Sequence, residues 1–400
     1  MHARACVVSV LLSIAIVGCS ESRSERPTSV LLEERRERDA RFLREAKDII
    51  GRMVASVKSE RDAWEAGSRP EPPTFEVLVL SGGGDLGAFG VGFLRGWGRV
   101  RGPLARPRFT VVTGVSTGAL IAPFAFLGDE GSLDIVESLY RNPQKDWVKR
   151  RRPIWFLPSN ASFATVPGLE REVKAYMSLE RISRIADAGS GGRMLILNTT
   201  NADDGSPRAW DLVAESGRAV ITGNPGRVQD IMLASAGIPG VFPHRTIDGD
   251  MYVDGGVTGN IIHGGRLPKE LSHVALWKAA YPGVPVPKTR FWVIWNNQIR
   301  GVPRVVEPTW PAIFTRSIDL AIRSATLTSI RQLFAQAEIL RLEHAAEIEV
   351  RFVAIPDDWV PPKPGVFVKE TMNALADLGE RMGTEPRSWI TDPYLGEVHR

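Results

Sequence analysis

Ser116 is the middle residue of Gly114-Val115-Ser116-Thr117-Gly118, a Gly-x-Ser-x-Gly pentad. A serine in that spacing can act as a nucleophile in acyl transfer if a strained turn lifts it off the end of a strand and a helix begins behind it. The flanks supply both. Phe109 to Thr113 is short and β-branched, as a buried strand requires, and the apolar run from Ala119 suits a core helix. Gly114 and Gly118 let neighbouring backbone come close, so Ser116 is expected at the carboxyl end of the strand with its hydroxyl exposed. The helix amino terminus would favour the negative charge that develops there.

Such a serine needs hydrogen-bond donors for the developing oxyanion. Phe75 to Leu80 reads as a strand that runs into Ser81-Gly82-Gly83-Gly84-Asp85-Leu86-Gly87, followed by an apolar helix from Ala88 to Val100. Strand, glycine loop and helix form an anion cradle, and consecutive glycines leave its amides unobstructed. Gly82, Gly84 and Gly87 also fit the dinucleotide pattern Gly-x-Gly-x-x-Gly. No Asp or Glu lies between Asp85 and Asp129 to bind a ribose, although Arg108 could face a 2′-phosphate.

The serine also needs a base. Met251-Tyr252-Val253-Asp254 reads as a short strand, after an Asp248-Gly249-Asp250 turn, that delivers a carboxylate into Gly255-Gly256. A free aspartate near pKa 3.9 is a poor base, so the site must desolvate Asp254 for it to serve. Histidine offers a rival arrangement. His263, His273, His344 and His399 follow a carboxylate in the order Ser, Asp, His, and His263 is near Asp254 in sequence; His244 lies in a Pro-His-Arg turn.

These residues must be held by a globular body. The chain has 400 residues, 43% hydrophobic and 24% charged, and its net charge of +4 is too small a bias to argue for nucleic acid. Both cysteines, Cys6 and Cys19, fall in the first twenty residues, which leaves the body without a disulfide or thiolate metal site. Arg4, the apolar Val7 to Val17 and Gly18-Cys19 read as an export signal too short to span a bilayer. Ile16-Val17-Gly18-Cys19 resembles a bacterial lipoprotein cleavage box, which implies lipidation of Cys19; Ser20 after it favours the outer membrane if the cell has one.

Leu31 to Trp64 carries an apolar stripe through Phe42, Ala46, Ile50, Met53 and Val57, the pattern of one long amphipathic helix; a stalk and a coiled coil are alternatives, but a stripe wider than a two-position seam favours packing on the main body. The proline-rich 68–74 stretch ends it. The organisation is then a signal peptide at 1–18, a polar spacer and helix at 19–73, and a hydrolase domain at 74–400. Further strands are expected at Arg193 to Thr199, Arg290 to Trp295 and Glu347 to Ile355. Helices are expected at Pro311 to Ala346 and Phe367 to Met382. The basic residues at 149–152 beside the aromatics at 154–157 suit a lipid interface as well as they suit a solvated surface.

Gly82-Gly83-Gly84-x-x-Gly87, Gly114-x-Ser116-x-Gly118 and Asp254-Gly255-Gly256, in this order, resemble the patatin-like phospholipase family. The Ala-Ser-x-x-Ile-Pro-x-x-Phe-Pro run at 234–243 does so too, and the likeness covers about 75–261. The resemblance implies an α/β fold with a mainly parallel sheet flanked by helices, and a Ser-Asp dyad with no histidine. Ser116 would be the nucleophile, Asp254 its direct base, and the loop of Gly82, Gly83, Gly84 and Gly87 the oxyanion hole. The expected activity is metal-free and cofactor-free hydrolysis of lipid or lysolipid esters at a membrane surface. Leu86 stands where the family usually has Arg or Lys, and Asp85 beside it is expected to add negative charge near the hole. A catalytically inactive scaffold on the same fold is the alternative from another class.

Overall fold

The computed structural model describes Arg23, residues 25–151 and residues 160–394. Cys19, the aromatic run at 154–157 and His399 lie outside the described residues. The strands are β1 Phe75–Leu80, β2 Val111–Val115, β3 Lys149–Arg150, β4 Ala164–Thr165, β5 Met194–Asn201, β6 Pro207–Asp211, β7 Arg245–Ile247, β8 Asp250–Asp254, β9 Thr289–Gln298 and β10 Ile348–Ile355. The helices are α1 Thr28–Glu65, α2 Gly87–Trp97, α3 Thr117–Leu127, α4 Glu130–Arg141, α5 Pro167–Tyr176, α6 Leu179–Gly189, α7 Leu212–Thr222, α8 Gly226–Ser235, α9 His273–Ala280, α10 Trp310–His344 and α11 Lys369–Gly383.

The main sheet runs β10-β9-β1-β2-β5-β8-β7, with β6 paired to β5. Its strands β10, β9, β1, β2 and β5 are parallel, whereas β6 and β8 pair antiparallel with β5, and β7 antiparallel with β8. β1 is buried along its whole length because β2 and β9 flank it and helices cover both faces. This is the α/β sheet expected from the motifs, and β9 and β10 extend it on the β1 side. β2 starts two residues later than expected and runs on through Gly114 and Val115, since Val111 to Val115 find parallel partners in β5. β6 had no counterpart in the sequence reading. Pro207 opens it, and the polar turn before it masks a hairpin.

One face of the sheet carries α2, α3, α4, α6, α7, α8 and α11 over a core that includes Leu78, Phe93, Trp97 and Leu197. Glycines set one contact there. A Cβ on Gly92 or Gly96 would strike the backbone of α11, and one on Gly379 or Gly383 that of α2, so the two helices meet backbone to backbone. The other face carries α1, α9 and α10 over Val79, Val293, Trp295 and Phe352. Ile50, Met53, Val54 and Val57 of α1 are buried in that second core. Arg38 pairs with Asp204 at 2.6 Å and Arg26 with Asp250 at 2.8 Å, which fastens the start of α1 to the β5–β6 turn and β8.

Candidate active site

Ser116 lies between β2 and α3 with φ 54° and ψ −123°, one of the few non-glycine residues with a positive φ. That conformation costs of the order of 1 kcal/mol or more and persists only where its surroundings fix it. Here they do. Its N–H donates to the Ser235 hydroxyl at 3.0 Å, and that hydroxyl donates to the Asn198 carbonyl at 2.6 Å. The Ser116 carbonyl accepts the Ala119 N–H at 2.9 Å and starts α3. A Cβ on Gly114 would strike the Gly118 carbonyl, and one on Gly118 the Leu80 carbonyl. Both glycines are therefore needed for the elbow to close on β1. The expected exposure does not hold, because Ser116 is only 6% exposed. Gly82 passes close enough that a side chain there would reach Ser116 Cβ.

Asp254 ends β8, where Thr199 of β5 pairs with it, one residue beyond the Asn198 that pairs with Val115. The sheet thus brings Ser116 and Asp254 to the same edge. Asp254 is 5% exposed, and burial pushes its pKa up to about 7. The Gly256 N–H, 2.7 Å from Oδ1, opposes the rise, and the nearby Ser116 hydroxyl opposes it less. Gly255 is required because a Cβ would strike the Asn198 carbonyl, and Gly256 supplies the amide that orients the carboxylate.

The glycine loop divides its four members by role. The Gly82 N–H is already engaged by Asn260, through Oδ1 at 3.0 Å and the backbone carbonyl at 3.3 Å. The Gly87 N–H closes the short turn onto the Gly84 and Asp85 carbonyls, and its missing side chain makes room for Thr117 and Tyr140. Gly83 and Gly84 remain. Among the described residues no acceptor pairs with either amide. Gly84 has φ +60° and open space around it, whereas a Cβ on Gly83 would strike the Asn296 carbonyl. Asn296 also braces the loop root, with its N–H on the Ser81 hydroxyl and its Nδ2 on the Ser81 carbonyl, both at 2.9 Å.

Asp85 holds its carboxylate on the loop's own backbone and on the segment before α11. Its carboxylate accepts the Phe367 N–H at 2.9 Å and the amides of Asp85 and Leu86, while burial raises its pKa above the usual carboxylate range. Leu86 packs against the core of the first face. Asn198, Ser235, Asn260 and Asn296 complete the site and were missed, since each acts on a residue far away in sequence.

The rival readings can be located too. His273 donates to or accepts from Thr289 at 2.8 Å and packs edge-on against Phe75 in the second core, where burial lowers its pKa to about 4. His263 is likewise lowered to about 4 by burial and by the Arg266 charge. It lines a cavity of about 880 Å³ between α1 and α10, whose walls include neither Ser116 nor Asp254. Among the described residues no histidine hydrogen-bonds to either dyad member. Arg108 precedes β2 at the amino edge of the sheet, opposite the glycine loop, so it cannot serve a phosphate held there.

Residues 78–263 match the family described as patatin-like phospholipase. The chain carries a patatin-like phospholipase domain. The match runs from β1 to the segment after β8, so it holds the glycine loop, Ser116 and Asp254; α1, β9, β10, α10 and α11 lie outside it. The domain is that of a lipid hydrolase family. No curated protein matches the chain. Among solved structures, VipD from Legionella pneumophila is similar at 11% identity and a TM-score of 0.34, covering 77% of this chain and 68% of that one.

Proposed function

We propose that the chain is a membrane-anchored serine acyl hydrolase that cleaves lipid or lysolipid carboxylic esters with a Ser116–Asp254 dyad. The observation that carries this reading is a buried carboxylate with pKa near 7 facing a serine held at a strained elbow. An aspartate near 7 takes a proton from serine far more readily than one near 4, and no imidazole is needed between them.

The steps follow from position. Ser116 Oγ attacks the acyl carbonyl as its proton passes to Asp254. The carbonyl oxygen becomes an oxyanion, which the Gly83 and Gly84 N–H groups and the start of α3 favour. Asp254 then returns the proton to the departing alcohol, which leaves an acyl ester on Ser116. Asp254 next takes a proton from water as its oxygen attacks that ester; the Ser116 Oγ–acyl bond then breaks, Oγ takes the proton back from Asp254, and the fatty acid leaves. Cys19 supplies the anchor in this reading, as a lipidated amino terminus at the outer membrane if the cell has one. Nothing in the mechanism requires a metal or cofactor.

Hydrolysis of a lysophospholipid and of a phospholipid by the purified chain, followed by fatty-acid release, tests the activity. Release by the wild type and its loss in Ser116→Ala is the expected result. No release from any ester by the folded wild type would favour the scaffold.

A further inference from the structure

One group of exposed large apolar side chains lies in the loop after β9 and the first turns of α10. Val305 is 96% exposed in the loop after β9, and Trp310, Ile313, Phe314 and Ile318 of α10 are 68%, 52%, 58% and 40% exposed. In α10 these fall at i, i+3, i+4 and i+8, one face of a helix. The buried residues of α10 begin only at Arg323, and its first three turns carry this apolar stripe at the surface. Arg304 and Arg316 flank it, the latter held by the Val302 carbonyl and Asp319. Bulky apolar and aromatic groups between arginines are the composition of a helix that lies in a lipid headgroup layer.

The position of the stripe adds a second argument. α10 leaves the carboxyl end of β9, the edge that holds the glycine loop. Arg323 anchors it there through the Gln298 carbonyl. Three residues on, the Thr326 hydroxyl accepts the Asn260 Nδ2–H at 2.9 Å, and the same Asn260 holds the Gly82 N–H. The outward stripe is therefore joined to the oxyanion loop by one side chain.

We propose that residues 305–318 are the surface by which the chain docks on a lipid bilayer and brings its catalytic edge to the substrate. This rests on the lipid-hydrolase reading for its purpose, but docking can be measured without turnover. The test uses the full chain carrying Cys6→Ser and Cys19→Ser, so that a cysteine introduced at Ile313 is the single attachment point for an environment-sensitive fluorophore. A second protein carries it at Ser190, exposed beside the amino end of β5. With vesicles of phosphatidylcholine and phosphatidylglycerol, the Ile313→Cys probe shifts to the blue and the Ser190→Cys probe does not. Equal shifts, or none, overturn the proposal. A shift that needs no vesicles and grows with protein concentration also overturns it, and assigns the stripe to a second copy of the chain.

In a chain otherwise unaltered, Trp310→Ser with Phe314→Ser lowers turnover of vesicle phospholipid by on the order of tenfold and leaves a soluble short-chain ester within about twofold. Equal losses on both substrates count against docking. A wild type without any esterase activity, yet with the selective blue shift, refutes the hydrolase reading and keeps the docking surface.

Discussion

Asp254 and Asp85 both sit in turns at the carboxyl edge of the sheet, each almost fully buried and each with a pKa raised by that burial. Their partners differ. Asp85 faces three backbone amides, one of them from Phe367 just before α11. Asp254 accepts one amide from its own turn and lies near the Ser116 hydroxyl. Burial alone therefore gives a carboxylate an unusual pKa without giving it a role. Asp85 is surrounded by donors that cannot release a proton near neutral pH, which makes it a clamp between the glycine loop and the segment before α11. In the proposed mechanism Asp254 faces a hydroxyl that becomes the nucleophile when it releases its proton.

Substitution at the two sites separates them most sharply. Ser116→Ala and Asp254→Asn are each expected to remove turnover by on the order of a thousandfold or more, with the double variant little worse than either, because the two act as one unit. Asp85→Asn keeps the carbonyl that accepts the Phe367 N–H and is expected to cost less than about threefold, with the main effect on stability. Ester hydrolysis and thermal unfolding of the four proteins measure this, and a loss in Asp85→Asn as deep as that in Asp254→Asn would erase the distinction.

The glycine loop gives the next largest effect. A side chain at Gly83 must displace the Asn296 carbonyl and with it the amides of the loop, so Gly83→Ala is expected to lose about a hundredfold in kcat with KM little changed. Gly84→Ala meets no neighbour and carries only the strain of φ +60°, so its loss is expected nearer tenfold. A rise in KM with kcat intact in either variant would remove the oxyanion assignment.

Acidity separates the carboxylates again. From about pH 4 to 7 the folded chain keeps a proton on Asp254 that the unfolded chain has released, so this group contributes less to stability as pH rises through that window. Above about 7 the ionised, buried carboxylate carries the whole cost, roughly 1.4 kcal/mol per pKa unit of the rise. Asp254→Asn should therefore be more stable than wild type at pH 8 and gain little at pH 4, as denaturant midpoints will show. A gain of the same size at both would contradict the pKa. Smallest of all, His263→Gln and His273→Gln are expected to leave kcat within about threefold, since neither ring reaches the dyad.

Much of this arrangement was legible in the chain. Phe75 to Leu80 shows its strand through composition, Ser116 its elbow through spaced glycines, and the α1 stripe its buried side through periodicity. What could not be read is the set of partners that spend or spare each amide. Asn260 takes the Gly82 N–H from 178 residues away, and Phe367 claims Asp85 from 282 away. Such bonds are made by the sheet order, which brings β9 beside β1, and leave no local pattern. For the same reason the sequence placed all four loop glycines in the oxyanion hole, while the fold leaves the N–H groups of two of them available. The exposure expected for Ser116 failed likewise, because packing from Gly82 and the 254–260 turn is a tertiary fact.

The most direct test of the Ser116–Asp254 pairing is the rate at which a fluorophosphonate labels the chain as pH is varied, with the adduct mapped by mass spectrometry. A single adduct on Ser116 is expected, at a rate that rises with pH through a midpoint near 7, where Asp254 ionises, and falls about tenfold per pH unit below it. In Asp254→Asn the labelling should be slow at every pH. Rapid labelling of Ser116 in that variant with an unchanged midpoint, or no adduct on Ser116 in the wild type, would contradict the pairing.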